Sequence, residues 1–134
     1  MIALDSSVVL AIVLAESEGL DFTRALARHD CVIGAPTLLE AQLAASARAG
    51  GHAPTVVRRI LSKPNIEIVD FTAEHANVAF EAFERFGTGR HPAKLNFGDC
   101  MAYAVAKVSN APLLYKGGDF SKTDIPAAVP QGQT

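Results

Sequence analysis

Apolar and polar positions along this chain fall into short apolar runs separated by stretches with helical periodicity. Met1 to Leu4 (MIAL) reads as a strand, and Asp5-Ser6-Ser7 supplies side chains suited to cap a helix expected over Val8 to Glu16. A second helix is expected over Glu18 to Arg28, followed by a buried strand, Cys31-Val32-Ile33, that Gly34 ends. Pro36 suits a first helical turn, so Thr37 to Arg48 is expected to be helical and to stop at Gly50-Gly51. Pro54 to Leu61 predicts another helix, Ile66 to Phe71 (IEIVDF) a strand, and Ala73 to Phe86 an amphipathic helix capped by Thr72. After the loop GTGRHPAK, a helix from Asn96 to about Ser109 leads to a fourth strand, Pro112 to Lys116, and the turn Gly117-Gly118-Asp119-Phe120. The tail after Pro126 is expected to fray.

Apolar strands alternating with helices indicate an α/β layer fold with a parallel sheet and right-handed connections. Ligands of such sheets gather at the carboxyl ends of the strands, so the residues there matter most. At 134 residues and 49% hydrophobic, the chain is long enough for one compact core and too short for two ordinary domains, so a single domain over residues 1–134 is expected. A net charge of −2 and a pI of about 6.0 give no global sign of nucleic-acid or membrane binding. Cys31 and Cys100 lie far apart and form no CxxC pair, which suggests neither a disulfide framework nor a zinc site. The apolar run Val8 to Ala15 is too short to span a bilayer, and Asp5 precedes it where a signal peptide carries basic residues. A soluble protein of the reducing cytoplasm, with no membrane partner, is expected.

Asp5 ends the first predicted strand and Asp119 lies just after the fourth, so the two carboxylates face one crevice if those strands are neighbours. Glu40 and Asp99 lie near the starts of two helices that enter from the same side. Three of these acids also have a local reading: Asp5 as a helix cap, Asp99 as the partner of Asn96 in a capping box, Asp119 as a turn former. Glu40 is different, because it sits beside Leu43, Ala44 and Ala47 with no Lys or Arg three or four positions away, whereas Glu81 has Arg85 at the favourable spacing. Several unpaired carboxylates in one pocket repel each other and resist burial, a conflict that a divalent cation removes. Oxygen-only ligands suit Mg²⁺ or Mn²⁺ rather than zinc, and the readiness of Mg²⁺ to take a phosphate oxygen points to phosphoryl chemistry. Removing these four from the 14 Asp and Glu leaves a net-basic remainder against the 12 Lys and Arg. Between Arg85 and Lys122 the basic residues Arg85, Arg90, Lys94, Lys107, Lys116 and Lys122 outnumber the acids Asp99 and Asp119, a basic rim around an acidic pocket.

The segments MIALDSS, APTLLEAQL, GRHPAKLNFGDCMAYAVAK and YKGGDFSKTDI together resemble the PIN domain, and more closely the VapC-type toxins of bacterial toxin–antitoxin pairs. The resemblance spans nearly the whole chain. It implies a three-layer α/β/α fold around a mainly parallel sheet and a metal-dependent endoribonuclease, usually dimeric and inhibited by a co-expressed antitoxin. The family's acidic quartet falls on Asp5, Glu40, Asp99 and Asp119, and its supporting polar residues on Ser6, Asn96 and Thr123. The position before the last acid often carries Asp or Asn in similar toxins and is Gly118 here.

The mechanism expected from this set makes Asp5 and Asp99 the main ligands of Mg²⁺ or Mn²⁺, with Glu40 and Asp119 acting through water or holding a second ion. A metal-activated water then attacks an RNA phosphorus in line, leaving a 5′-phosphate and a 3′-hydroxyl. Arg90, His91, Lys94, Lys116 and Lys122 form the RNA-binding rim, though His91 also reads as a solvated loop histidine. Leu10, Leu14, Leu38 and Leu39 offer antitoxin docking surfaces or core, and Leu43 to Ala49 offers a homodimer interface. One rival is a phospho-acceptor signalling domain using Asp70 after the third strand and Lys116 after the fourth. It leaves Glu40 and Asp99 without a purpose. A haloacid-dehalogenase phosphatase is disfavoured because Ser7 stands where a second Asp belongs. A PIN fold that binds RNA or antitoxin without cutting is the remaining alternative.

Overall fold

A computed structural model describes residues 1–128. Four strands, β1 (Ile2–Leu4), β2 (Cys31–Gly34), β3 (Ile66–Val69) and β4 (Leu113–Leu114), form one parallel sheet in the order β3-β2-β1-β4. Among the described residues six α-helices flank it: α1 (Ser6–Val13), α2 (Gly19–Arg28), α3 (Ala35–Ala49), α4 (Ala53–Leu61), α5 (Ala73–Phe86) and α6 (Phe97–Val108). The expected α/β/α layering is present.

Strand alternation divides the core into two layers. Ile2, Leu4, Cys31, Ile33, Ile66 and Leu114 point to the side covered by α1 to α4, where Val8, Phe22, Leu26, Ala41 and Val57 meet them. Ala3, Val32 and Leu113 point the other way, against Tyr103, Val105 and Ala106 of α6 and Ala82 and Phe86 of α5. The register Ile2↔Cys31 and Ala3↔Leu113 keeps like faces together across the strands. β3 ends the sheet on one side and exposes Glu67, a charge suited to an edge strand.

Several boundaries differ from the sequence pattern for identifiable reasons. Helix α1 begins at Ser6 because Asp5 itself is the cap, and it ends at Val13 because Ala15 adopts a left-handed φ of 53°. There Glu16 N donates to Ala11 O and Ala15 N to Ile12 O, the bonding of a Schellman turn. The third strand stops at Val69 rather than Phe71, because its partner Gly34 leads straight into α3 and leaves Asp70 and Phe71 no ladder. The fourth strand covers only Leu113–Leu114: the Lys116 amide turns away to donate to Ser7 Oγ at 2.9 Å. The fraying expected after Pro126 does not begin there, since Leu113 N donates to Pro126 O and Ala128 N to Leu113 O. The rest of that tail lies outside the described residues.

Among the described residues, no helix is long and apolar enough to cross a membrane.

Candidate active site

Asp5 stands where β1 gives way to α1. Its amide still belongs to the sheet, donating to Leu114 O at 3.0 Å, while its side chain already serves the helix. One carboxylate oxygen, Oδ2, accepts from Ser7 N at 3.1 Å and from Ser7 Oγ at 2.6 Å. Ser7 Oγ in turn accepts from the Lys116 amide, so one hydroxyl fastens the ends of β1 and β4 together. The strand order makes those ends neighbours, as the crevice argument requires. The sequence pattern marks Ser7 as part of a capping triplet and as a position lacking a second Asp, but not as a link between strands, because its partner at position 116 is remote in the chain.

Asp99 sits in the first turn of α6, locked in a capping box: Asn96 N donates to Asp99 Oδ2 at 3.0 Å and Asp99 N to Asn96 Oδ1 at 2.9 Å. That box uses one carboxylate oxygen and fixes the side chain's direction. Glu40 reaches the same helix start from α3. A Cβ at position 98 would coincide with the Glu40 carboxylate, so Gly98 is the residue that lets α3 and α6 approach with this acid between them. Asp119 is exposed in the turn that precedes the 3₁₀ segment Phe120–Lys122.

The charges are mutually felt. Burial, with only 5% of the residue exposed, pushes the Asp5 carboxyl above its ordinary value of 3.8, and the Glu40 charge adds to this against the Ser7 hydrogen bonds. Asp99 is pushed up as well, by burial first, and then by Asp5 and Asp119 against the Asn96 amide. The four acids thus share one neighbourhood, and among the described residues none of them is in an ion pair with Lys, Arg or His. Neighbouring Cys100 is no thiolate donor, since burial and the Asp99 charge push its thiol up to about 11.

No three His, Cys, Asp or Glu side chains among the described residues are drawn up closely enough to enclose a metal ion. That arrangement still fits a hard dication of the kind that keeps several waters and takes only one or two carboxylates directly. The donors are oxygens, they are uncompensated, and two of them carry a cost that a cation would relieve.

The supporting and rim residues are more mixed. Asn96 holds Asp99, and the Ser6 amide adds to the donors around Asp5. Thr123 staples its own turn, donating to Phe120 O at 2.7 Å and accepting from Ile125 N at 3.2 Å. Lys116 turns its ammonium to Glu16 at 3.1 Å and Glu18 at 3.7 Å. Arg85 and Lys107 both pair with Asp124 at 3.3 Å, and Tyr103 donates its hydroxyl to the same carboxylate. Burial raises the Asp124 pKa, but these three partners outweigh it and hold the carboxyl below the ordinary range. His91 Nδ1 accepts from Ala93 N at 3.0 Å and its ring meets Phe86 edge-on, shaping the loop ahead of α6. Arg90, Lys94 and Lys122 are the basic rim positions in no ion pair among the described residues.

Asp70 follows β3, the edge strand farthest from β4, and is exposed. The phospho-acceptor reading therefore loses its acceptor to the wrong end of the sheet, and Lys116 is engaged by Glu16.

A parallel sheet that gathers carboxylates at the ends of β1 and β4, with a third and a fourth delivered by α3 and α6, defines the PIN class of α/β domains. The chain belongs to that family: the PIN domain model matches residues 2–126. It is 42% identical over 123 residues to Ribonuclease VapC36 of Mycobacterium tuberculosis, covering 90% of this chain and 88% of that protein. Among solved structures it resembles VapC20 of Mycobacterium tuberculosis, described as a sarcin-ricin loop cleaving toxin, with a TM-score of 0.79 at 19% identity over 97% of this chain and all of the other. A toxin–antitoxin complex from Klebsiella pneumoniae matches with a TM-score of 0.71 at 17% identity, over 97% of this chain and 98% of that one.

Proposed function

We propose that this chain is the toxin of a toxin–antitoxin pair, an endoribonuclease that hydrolyses RNA phosphodiester bonds with Mg²⁺ or Mn²⁺. The observation that carries the reading is the gathering of four acids without a cationic partner at the carboxyl edge of the sheet. Close kinship to proteins named VapC ribonucleases supports the choice of RNA as substrate.

Asp5 and Asp99 are the direct ligands in this scheme, because each has one oxygen occupied by its own helix cap and the other left over. Glu40 and Asp119 act through water or hold a second ion. When bound, the ion lowers the pKa of a water and screens the charge of the scissile phosphate. Ser7 and Asn96 keep the two aspartates from turning away, so little reorganisation is needed as the phosphate arrives. Arg90, Lys94 and Lys122 attract the RNA backbone.

The partners follow from the same surface. An antitoxin silences the site by offering a cation to the carboxylates. A second copy of the chain covers the apolar saddle where Phe97, 81% exposed, stands between Leu39 and Leu43 of α3 and Phe80 of α5. The activity is exerted in the cytoplasm.

Expression of the chain alone, and of Asp99→Asn, with growth recorded and RNA ends mapped, tests the reading. Growth arrest and new ends with 5′-phosphate and 3′-hydroxyl, both absent in the variant, are expected. A 2′,3′-cyclic phosphate would place the attack on the ribose hydroxyl instead, and no cleavage with Mn²⁺ present would leave a binding module.

A further inference from the structure

Thr37 is 1% exposed, and its hydroxyl is the buried side-chain oxygen that has no hydrogen-bond partner among the described residues. Buried hydroxyls are ordinarily satisfied, and a valine of the same shape would fill the position without that cost. A threonine here therefore signals a partner that arrives with function.

Its position says which one. Thr37 lies in the first turn of α3, and Glu40 follows one turn later on the same side of that helix. Its Oγ1 lies 3.9 Å from where a Cβ on Gly34 would stand, and Val105 Cγ2 of α6 lies 2.8 Å from the same point. Gly34 ends β2, and the register Ile2↔Cys31 and Ala3↔Val32, continued, sets it level with Asp5. The hydroxyl thus lies beneath the carboxyl ends of β1 and β2, beside the strand position level with Asp5 and one helical turn before Glu40.

We propose that Thr37 is a positioning residue of the cation site, its hydroxyl bonding to the water shell of the ion that the carboxylates hold. The proposal rests on the metal reading above. Thr37 touches neither RNA nor the reacting phosphorus; it fixes the ion's waters between Asp5 and Glu40. Outer partners of this kind are worth about 10- to 100-fold in metal affinity.

The test is Mn²⁺ titration of the chelator-treated full chain, followed by paramagnetic resonance of free Mn²⁺ and by thermal melting, for wild type, Thr37→Val and Thr37→Ser. Thr37→Val is expected to melt at or above the wild-type temperature without metal, because no hydrogen bond is lost, yet to bind Mn²⁺ at least about tenfold more weakly. Thr37→Ser, which keeps the hydroxyl and loses a methyl, is expected to melt lower and bind Mn²⁺ nearly as wild type does. Equal Mn²⁺ affinity in wild type and Thr37→Val overturns the proposal and leaves the metal reading standing. A Thr37→Val chain that unfolds or melts well below wild type overturns it too, since the hydroxyl then has a partner before metal binds. Wild type that ignores Mn²⁺ removes the metal reading and this proposal with it.

Discussion

Replacing Asp5 by Asn removes a buried charge while keeping the shape and one acceptor oxygen. In the wild type, that charge gains two bonds from Ser7, at 3.1 and 2.6 Å, each strengthened by about 1 kcal/mol because the acceptor is ionised. Against this stands burial of the carboxylate, several kcal/mol for an ion without a counter-charge, together with repulsion from Glu40. The net upward shift of the Asp5 pKa says that the opposing side wins. The amide's new donor, placed where the free oxygen stood, takes back part of the gain, so Asp5→Asn is expected to stabilise the metal-free protein by about 1–2 kcal/mol at neutral pH. That corresponds to a rise of about 3–8 °C in Tm. Because the folded-state pKa lies above the ordinary value of 3.8, the folded protein takes up a proton; the penalty is absent below that value and grows as pH rises through the folded-state pKa. The variant's advantage should therefore vanish near pH 3.5 and reach its plateau at neutral pH. Mn²⁺ should then reverse the order, stabilising wild type by about 2.7 kcal/mol at a hundredfold excess over Kd and the variant little. Scanning calorimetry from pH 3.5 to 7.5, with and without Mn²⁺, reads all three effects. A variant less stable than wild type at every pH, or one that responds to Mn²⁺ as wild type does, would refute the reasoning.

Three further substitutions probe the surroundings. Gly98→Ala drives a methyl into the Glu40 carboxylate, and is expected to cost about 1–3 kcal/mol in urea unfolding and to lower RNA cleavage with it. Ser7→Ala cuts both the Asp5 hydrogen bond and the acceptor of the Lys116 amide; about 1–3 kcal/mol of stability and about 10- to 100-fold in Mn²⁺ affinity are expected to go, by melting and titration respectively. Phe97→Asp places a charge on the most exposed aromatic of the apolar saddle and should turn a dimer into a monomer in sedimentation equilibrium at micromolar concentration.

What the sequence disclosed, and what it withheld, divides along contact distance. Helix caps at Thr72 and Asn96 were legible because cap and partner lie within three residues, although His75 rather than a Glu or Gln completes the first box. Strand positions were legible from apolar runs, while strand ends were not: Val69 and Leu114 are last in their ladders because of what β2 and Ser7 do elsewhere. The four acids were legible as a candidate set through the α/β alternation, which predicts that the ends of β1 and β4 meet, and through the family resemblance. The Glu40–Gly98 contact was invisible, since nothing local in LNFGDC says that its glycine clears room for an acid fifty-eight positions earlier. The same applies to charge: Lys116 and Lys107 look free in the sequence and Arg85 looks paired with Glu81, yet in the fold Lys116 is engaged by Glu16, and Arg85 and Lys107 by Asp124. A basic count along a segment overstates the field available to RNA, and Arg90, Lys94 and Lys122 are what remains of it.

The central claim is that one hard dication sits among these acids. Anomalous diffraction from crystals of the full chain soaked in Mn²⁺ tests it most directly. The account predicts a peak about 2.1 Å from an oxygen of Asp5 and from one of Asp99, with Glu40 and Asp119 in the same shell or one water beyond; a peak elsewhere on the surface, or none at saturating Mn²⁺, would contradict it.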